Sequence, residues 1–270
     1  VYATAYRRYL KMLYDRAETV EDAPRYLLLF GDGAWDNRML SSGWKGHSPD
    51  DYLLCYEVDN SYSLTSSYVV EDYFGFLDDG EGVNMKRDKV DVGVGRFPVT
   101  TATQAREVVD KIEAYVSNAH AGAWKNSILM LGDDGDANRH MEDAELVAKM
   151  LESEYPDYMV KRIYWDAFPM EKRATGNSYP TVHKRLLELF KEGALMVNYS
   201  GHGAPDVLAH ELVLSKADMA QLRSPRLPVW VTASCDITPF DNTVGSFGES
   251  AFLNPNGGAI GLLTSTRTTY

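Results

Sequence analysis

Short, continuously apolar runs recur along this chain, and stretches with helical periodicity separate them. The runs are Tyr26–Phe30, Val90–Val94, Ile128–Leu131, Tyr158–Trp165, Ala194–Tyr199, Pro228–Ala233 and Ala259–Thr264. A run that is apolar at nearly every position suits a strand buried on both faces, the situation of a parallel sheet between two layers of helix. The intervening stretches predict helices over 4–18, 105–116, 138–154, 181–192, 216–223 and 245–253. The first gathers Tyr6, Leu10, Leu13 and Tyr14 on one side. In the second, Ala105, Val108, Val109, Ile112 and Val116 keep the helical period, with Thr101 and Gln104 as a capping box ahead of it. Alternation of strand and helix with few hairpin signals predicts an α/β fold, mainly parallel, with helices on both faces. Residues 34–89 break the pattern. They are rich in Asp, Gly, Ser and Tyr, and predict long loops with a hairpin around Tyr68–Val70 and Tyr73–Leu77. Two similar strand ends, Gly31-Asp-Gly33 and Gly132-Asp-Asp-Gly135, predict two lobes, 1–124 and 125–270, with the boundary at 122–126.

The chain has 270 residues, 44% of them hydrophobic, which is ample for a sizeable core. It carries 39 acidic and 27 basic side chains, a formal net charge of −12, so it repels phosphate backbones and no nucleic-acid partner is expected. No eighteen-residue apolar stretch occurs, so no membrane-spanning segment is expected. The chain opens on Val1 without a leader-like segment and reads as a piece of a longer protein. Cys55 and Cys235 are too few for a disulfide framework, and no Cys or His spacing suggests a metal site. Gly31-Asp-Gly33 and Gly93-Val-Gly95 do not extend to a nucleotide-binding glycine motif. No cofactor is required. Asn198-Tyr-Ser200 fits a glycosylation sequon, but inside a strand it reads as chance.

In an open parallel sheet the working groups gather beyond the carboxyl ends of the strands. The run 194–199 ends in Ser200-Gly201-His202-Gly203, and the run 228–233 ends in Ser234-Cys235-Asp236. A cysteine at a strand end is ordinarily core, and a histidine between glycines is ordinarily a turn residue. Their joint placement at one sheet edge, on consecutive strands, is what points to chemistry. The thiolate is the nucleophile, and an adjacent imidazole raises its fraction and later protonates the leaving amine. Glycines beside the histidine let backbone approach a substrate. The N–H groups of Gly203 and Cys235 are candidate oxyanion donors.

These motifs resemble those of the gingipain-type cysteine peptidases. Asn198-Tyr-Ser-Gly-His-Gly203 is similar to that family's His motif. Thr232-Ala-Ser-Cys-Asp-Ile-Thr-Pro-Phe-Asp241 with Phe247-Gly-Glu249 is similar to its Cys motif. Asn254-Pro-Asn-Gly-Gly-Ala-Ile-Gly261 and Thr264-Ser-Thr-Arg267 resemble its last core strand and pocket wall. Gly31-Asp-Gly33, Asp72-Tyr-Phe74 and Val94-Gly-Arg-Phe97 extend the likeness loosely over most of the chain. The resemblance implies a caspase-like fold of two lobes with the active site on the second, and His202 and Cys235 as the dyad. It implies Asp134 as the acid orienting the imidazole, where a helix cap or solvated turn is the alternative. Ser234, Asp236, Thr264, Ser265 and Thr266 become candidate substrate-pocket residues. The Ser-Cys-Asp context is nearest the sortase branch of the family, which serves the type IX secretion system. That branch implies a protein substrate, the C-terminal region of secreted cargo, which is removed before the cargo passes to anionic lipopolysaccharide. It also implies an outer-membrane barrel partner and a secreted, outer-membrane-associated location at the cell surface. A secreted endopeptidase with a basic P1 preference, or a non-catalytic scaffold, are the alternatives. Since the chain stops at Tyr270, where the pocket wall should continue, part of the substrate site is expected to lie outside it.

Asp78-Asp-Gly-Glu81 lacks EF-hand spacing and reads as a solvated hairpin tip, although relatives in the family bind structural calcium. His47, His120, His140, His183 and His210 read as surface or packing residues, and Cys55 as structural.

Overall fold

The computed structural model describes residues 2–58, 68–85, 87–174 and 176–268. The loop expected over 59–67 therefore lies outside the described residues. The chain forms two compact units, 1–102 with 240–244 and 103–239 with 245–270. The second unit thus starts some twenty residues ahead of the 122–126 stretch marked from sequence. The cause is Lys111, in the helix over 102–116, which is buried and donates to the carbonyls of Phe252, Asn254 and Ala259 late in the chain.

In the first unit, helix α1 (Thr4–Asp15) precedes strand β1 (Tyr26–Phe30), which pairs in parallel with β2 (Gly93–Phe97). The sequence places this second strand at 90–94. Its partner decides otherwise: Tyr26 lies opposite Gly93 and Phe30 opposite Phe97, the last pair closed by an edge-to-face ring contact at 5.3 Å. The hairpin expected around 68–77 is corrected as well. Tyr68–Val69 pairs with Glu57–Val58, and Glu71–Gly75 forms a 3₁₀ helix. Tyr73, Phe74, Gly75, Phe76 and Leu77 are all buried, and a strand, which sends alternate side chains to opposite faces, could not bury them in this one-sided layer. Arg96 anchors the unit. Its guanidinium donates to the Gly31 carbonyl at 2.8 Å and the Leu54 carbonyl at 3.2 Å, and pairs with Glu71 at 2.9 Å, the arginine side chain being almost fully buried and the glutamate mostly so.

The second unit is built on a five-stranded parallel sheet. Helix α2 (Ala102–Val116) leads into β3 (Ser127–Gly132), α3 (Arg139–Glu154), β4 (Met159–Tyr164), α4 (Pro180–Glu192) and β5 (Met196–Ser200). Then come α5 (Lys216–Gln221), β6 (Val229–Ala233), α6 (Phe247–Leu253) and β7 (Gly261–Leu263). The strands lie in the order β7-β6-β5-β3-β4. Strand alternation sorts the two faces. Ile128 and Met130 of β3 pack on Ala144 and Ala148 of α3. Leu129 and Leu131, with Val197, Tyr199 and Trp230, pack on the opposite side against Val182, Leu186, Met219, Phe247 and Ala251 of the three later helices. This is the α/β arrangement with helices on both faces that the apolar runs predict. Among the described residues no helix is long and apolar enough to cross a membrane.

The chain runs from β3 outward to β4, then returns past β3 to β5, β6 and β7. The direction of travel reverses between β3 and β5. Ligand crevices in open α/β sheets form outside the carboxyl ends of the strands at such a reversal.

Candidate active site

The residues after β5 and β6 lie at that edge. In the parallel register Ser200 stands opposite Ala233 as the last pair. His202 and Cys235 each follow two residues later, so the topology carries both to the same rim. Gly201 N–H donates to the Ala233 carbonyl at 3.2 Å, continuing the pairing past the strand end. Gly203 then lies flush against the cysteine loop. A Cβ there would come within 2.9 Å of the Cys235 carbonyl oxygen and run into Ser234 Oγ, so only glycine lets the two loops meet. The Ala209 N–H donates to the His202 carbonyl at 2.8 Å. That bond makes Gly203 and Leu208 a non-hydrogen-bonded antiparallel pair, and turns the Gly203 N–H away from its partner strand.

The His202 backbone is clamped from both sides. Its N–H donates to Asp133 Oδ2 at 3.0 Å, and its carbonyl accepts from the Tyr199 hydroxyl at 2.6 Å. Asp133 and Tyr199 are both essentially fully buried. Burial pushes the Tyr199 phenol well up, so it stays a donor. Gly201 makes room for this clamp, since a Cβ there would meet the Asp133 and Tyr199 side chains.

The imidazole itself sits among other groups. It stacks on His210, centroids 4.2 Å apart, and meets His140 edge-on at 5.0 Å. The Asp136 carboxylate faces its Nε2 at 3.5 Å. Asp134 accepts a hydrogen bond from the Tyr179 hydroxyl. Burial and then this bond raise the Tyr179 pKa. Sequence reasoning gave Asp136 no role and read His140 and His210 as surface or packing residues, whereas both rings lie against His202. The spacing Asp136-x-x-x-His140 carried no usable signal, because Asp136 lies in a left-handed turn ahead of the helix that starts at Arg139 and meets the His202 ring only through that turn.

The cysteine loop is laced to the segment after β7. Ser265 Oγ donates to the Ser234 carbonyl at 2.5 Å, Thr238 N–H to the Ser265 carbonyl at 3.0 Å, and Asp236 N–H to the Arg267 carbonyl at 3.1 Å. Thr238 Oγ1 reaches Thr264 Oγ1 at 3.3 Å. Of the residues proposed as pocket lining, Asp236, Thr264, Ser265 and Thr266 are half-buried and lie on these two laced segments, while Ser234 is buried. Asp236 takes a left-handed backbone conformation, φ 51°, which an aspartate tolerates and which turns the chain sharply just after the thiol. Neither cysteine is in a disulfide; the Cys235 thiol is half-buried and Cys55 is fully enclosed. Around 78–81 the carboxylates engage protein donors. Tyr14 donates to Asp78, the Asp78 and Lys89 N–H groups to Glu81, and Lys11 pairs with Asp79.

The sequence model of peptidase family C25 matches residues 1–270. No curated protein matches the chain. Among solved structures, the Arg-specific cysteine proteinase gingipain R (RgpB) superposes with a TM-score of 0.67 at 18% identity, over 100% of this chain and 54% of that one. A complex of the Porphyromonas gingivalis RgpB pro- and mature domains gives 0.67 at 16% identity, over 100% and 55%. Dimeric latent PorU from Porphyromonas gingivalis is 41% identical over 45% of this chain and 12% of that one, with a TM-score of 0.37. The chain spans about half the length of the gingipain structures it matches. The shared caspase-like fold and the whole-length family match agree with what the two motifs imply: the chain belongs to peptidase family C25, the gingipain family of cysteine peptidases.

Proposed function

We propose that this chain carries the thiol chemistry of a peptidase acting through a thioester acyl-enzyme, with Cys235 as nucleophile and His202 as its base. The observation that carries the reading is the register: His202 and Cys235 each lie two residues past the paired Ser200 and Ala233, with Gly203 pressed against the Ser234–Cys235 peptide. The thiol proton passes to the imidazole as sulfur attacks the scissile carbonyl. The Gly203 N–H, joined by that of Cys235, faces the developing oxyanion. Collapse of the tetrahedral species breaks the C–N bond, and the imidazolium returns the proton to the leaving amine. Asp133 and Tyr199 are positioning residues that hold the histidine backbone. Asp236, Thr264, Ser265 and Thr266, on the two laced segments, are where the substrate chain would lie. Asp136 takes the place at the imidazole that sequence reasoning gave to Asp134.

Water as second acceptor makes this a protease, and an amine or hydroxyl acceptor makes it a transferase; the first half-reaction is common to both. The Ser234-Cys235-Asp236 context supports the sortase form. In that form the substrate is the C-terminal region of secreted cargo, the acceptor an anionic lipopolysaccharide, the partner an outer-membrane barrel, and the location the cell surface. Incubating the chain with an activated peptide ester and graded hydroxylamine tests both levels. A thioester adduct on Cys235 that partitions to the acceptor supports a transferase, and one that yields only hydrolysed product leaves a protease. Absence of any adduct, with Cys235 still alkylatable, refutes the nucleophile assignment. An endopeptidase with basic P1 preference is the second reading, favoured by Asp236 beside the thiol; a P1 peptide library separates it by a preference for Arg or Lys.

A further inference from the structure

Asp136 Oδ2 lies 3.4 Å from His140 Nε2 and 3.5 Å from His202 Nε2. The three atoms all fall within 4.8 Å of one another. These separations are longer than ordinary N–H···O bonds of about 2.7–3.2 Å. The two carboxylate–imidazole distances are close to the edge, about 3.3 Å, of a tetrahedron with metal–ligand bonds of about 2.0–2.1 Å. The His140 Nε2 is buried and makes no hydrogen bond, the longer contact to Asp136 being what stands in place of water. The two rings are nearly perpendicular, at 85°, while His210 backs His202 from its other face. Asp136 is held in place by three successive left-handed residues, Asp136, Ala137 and Asn138, with φ of 51°, 55° and 69°. For alanine that conformation costs on the order of 1 kcal/mol, so the turn is held by its surroundings.

We propose that Asp136, His140 and His202 form a site for a divalent transition metal, zinc being the ion it fits, and that occupation of this site turns off the thiol chemistry. Two imidazole nitrogens and one carboxylate are a donor set for zinc rather than calcium or magnesium, which prefer oxygen alone. The Asp136 side chain is 62% exposed, which leaves a route from solvent and a fourth position for water. The inhibitory half of the proposal rests on the peptidase reading above. A neutral imidazole has one lone pair; with the metal on Nε2, the remaining proton sits on Nδ1. Whichever nitrogen faces the sulfur, a coordinated His202 has nothing left with which to take the thiol proton.

The test is a titration of the purified chain with Co²⁺, followed by Zn²⁺ competition, read by the visible absorption of tetrahedral cobalt. One equivalent should bind, zinc should displace it, and Cys235→Ala should bind as the parent does. His140→Ala, or Asp136→Asn if that variant does not fold, should weaken binding at least about tenfold. In turnover assays, the zinc concentration giving half-inhibition should rise by a similar factor in the same variant, each variant being compared with its own zinc-free rate, and a chelator should restore activity. The proposal fails if no metal binds at millimolar concentration. It fails equally if binding vanishes in Cys235→Ala, which would put the metal on the thiolate, or is unchanged in the Asp136 and His140 variants. Cobalt bound in the expected pattern by a chain that forms no acyl-enzyme would uphold the metal site and refute the peptidase reading.

Discussion

The two cysteines of this chain are the same residue in opposite circumstances. Cys55, in the first unit, is fully enclosed, and burial pushes its thiol well above the ordinary range even though the Arg96 guanidinium pulls the other way. A charge with no water around it costs more than one nearby opposite charge returns, so Cys55 stays a neutral, space-filling thiol. Cys235, in the second unit, is half-buried at the rim of a parallel sheet, at the end of a strand whose neighbour brings a histidine to the same level. Burial and topology, not residue type, separate a packing sulfur from the one proposed to react.

The largest effect that would sharpen this contrast is on turnover. Cys235→Ala should lower peptide-ester turnover by on the order of 10³-fold or more with an unchanged melting temperature. In the native chain iodoacetamide should modify Cys235 alone, by mass spectrometry. Modification of Cys55 at a comparable rate would end the comparison.

Next in size is the anchor of the first unit. Arg96→Ala leaves Glu71 charged and enclosed, and breaking such a buried pair costs about 3–5 kcal/mol. In urea titrations Cys55 should then become alkylatable at much lower denaturant than in the parent. A midpoint shift under about 1 kcal/mol would show that the pair does not hold the unit closed.

Gly203→Ala acts on the second unit. The added Cβ meets the Cys235 carbonyl and Ser234 Oγ, so the loops must part. Overpacking of this kind costs about 1–3 kcal/mol of stability, and acyl-enzyme formation should slow beyond what that loss explains. Normal acylation would place the histidine loop's contact outside the chemistry.

The smallest effect is expected from Tyr199→Phe, which removes one hydrogen bond to the His202 carbonyl, worth about 1 kcal/mol. Turnover should fall several-fold, while alkylation of Cys235 by a small reagent changes little. Equal loss in both would assign Tyr199 to general stability.

Much of the second unit was legible in the amino-acid sequence. Ile128–Leu131, Ala194–Tyr199 and Pro228–Ala233 are apolar at successive positions because both faces of their strands are covered, and composition alone reports that. The candidate dyad was legible for the same reason: His202 and Cys235 follow buried strands directly, and parallel strands end together. The first unit was harder to read. The strand at 93–97 contains two glycines and an arginine, and it is a strand because Tyr26–Phe30 offers it a partner. Residues 73–77 look like a strand and form a 3₁₀ turn and its continuation because everything there points inward.

By itself the sequence determined which segments alternate and which side chains finish each strand, since periodicity and strand ends are local properties. Which carboxylate meets the imidazole was decided only in three dimensions. Asp133, Asp134 and Asp136 are nearly adjacent in the chain, yet one holds the His202 backbone, one receives Tyr179 and one faces the ring. A left-handed turn that begins at Asp136 sets that carboxylate apart from the two before it, and the groups that receive all three come from strands and helices brought in by the fold, beyond the reach of any local pattern.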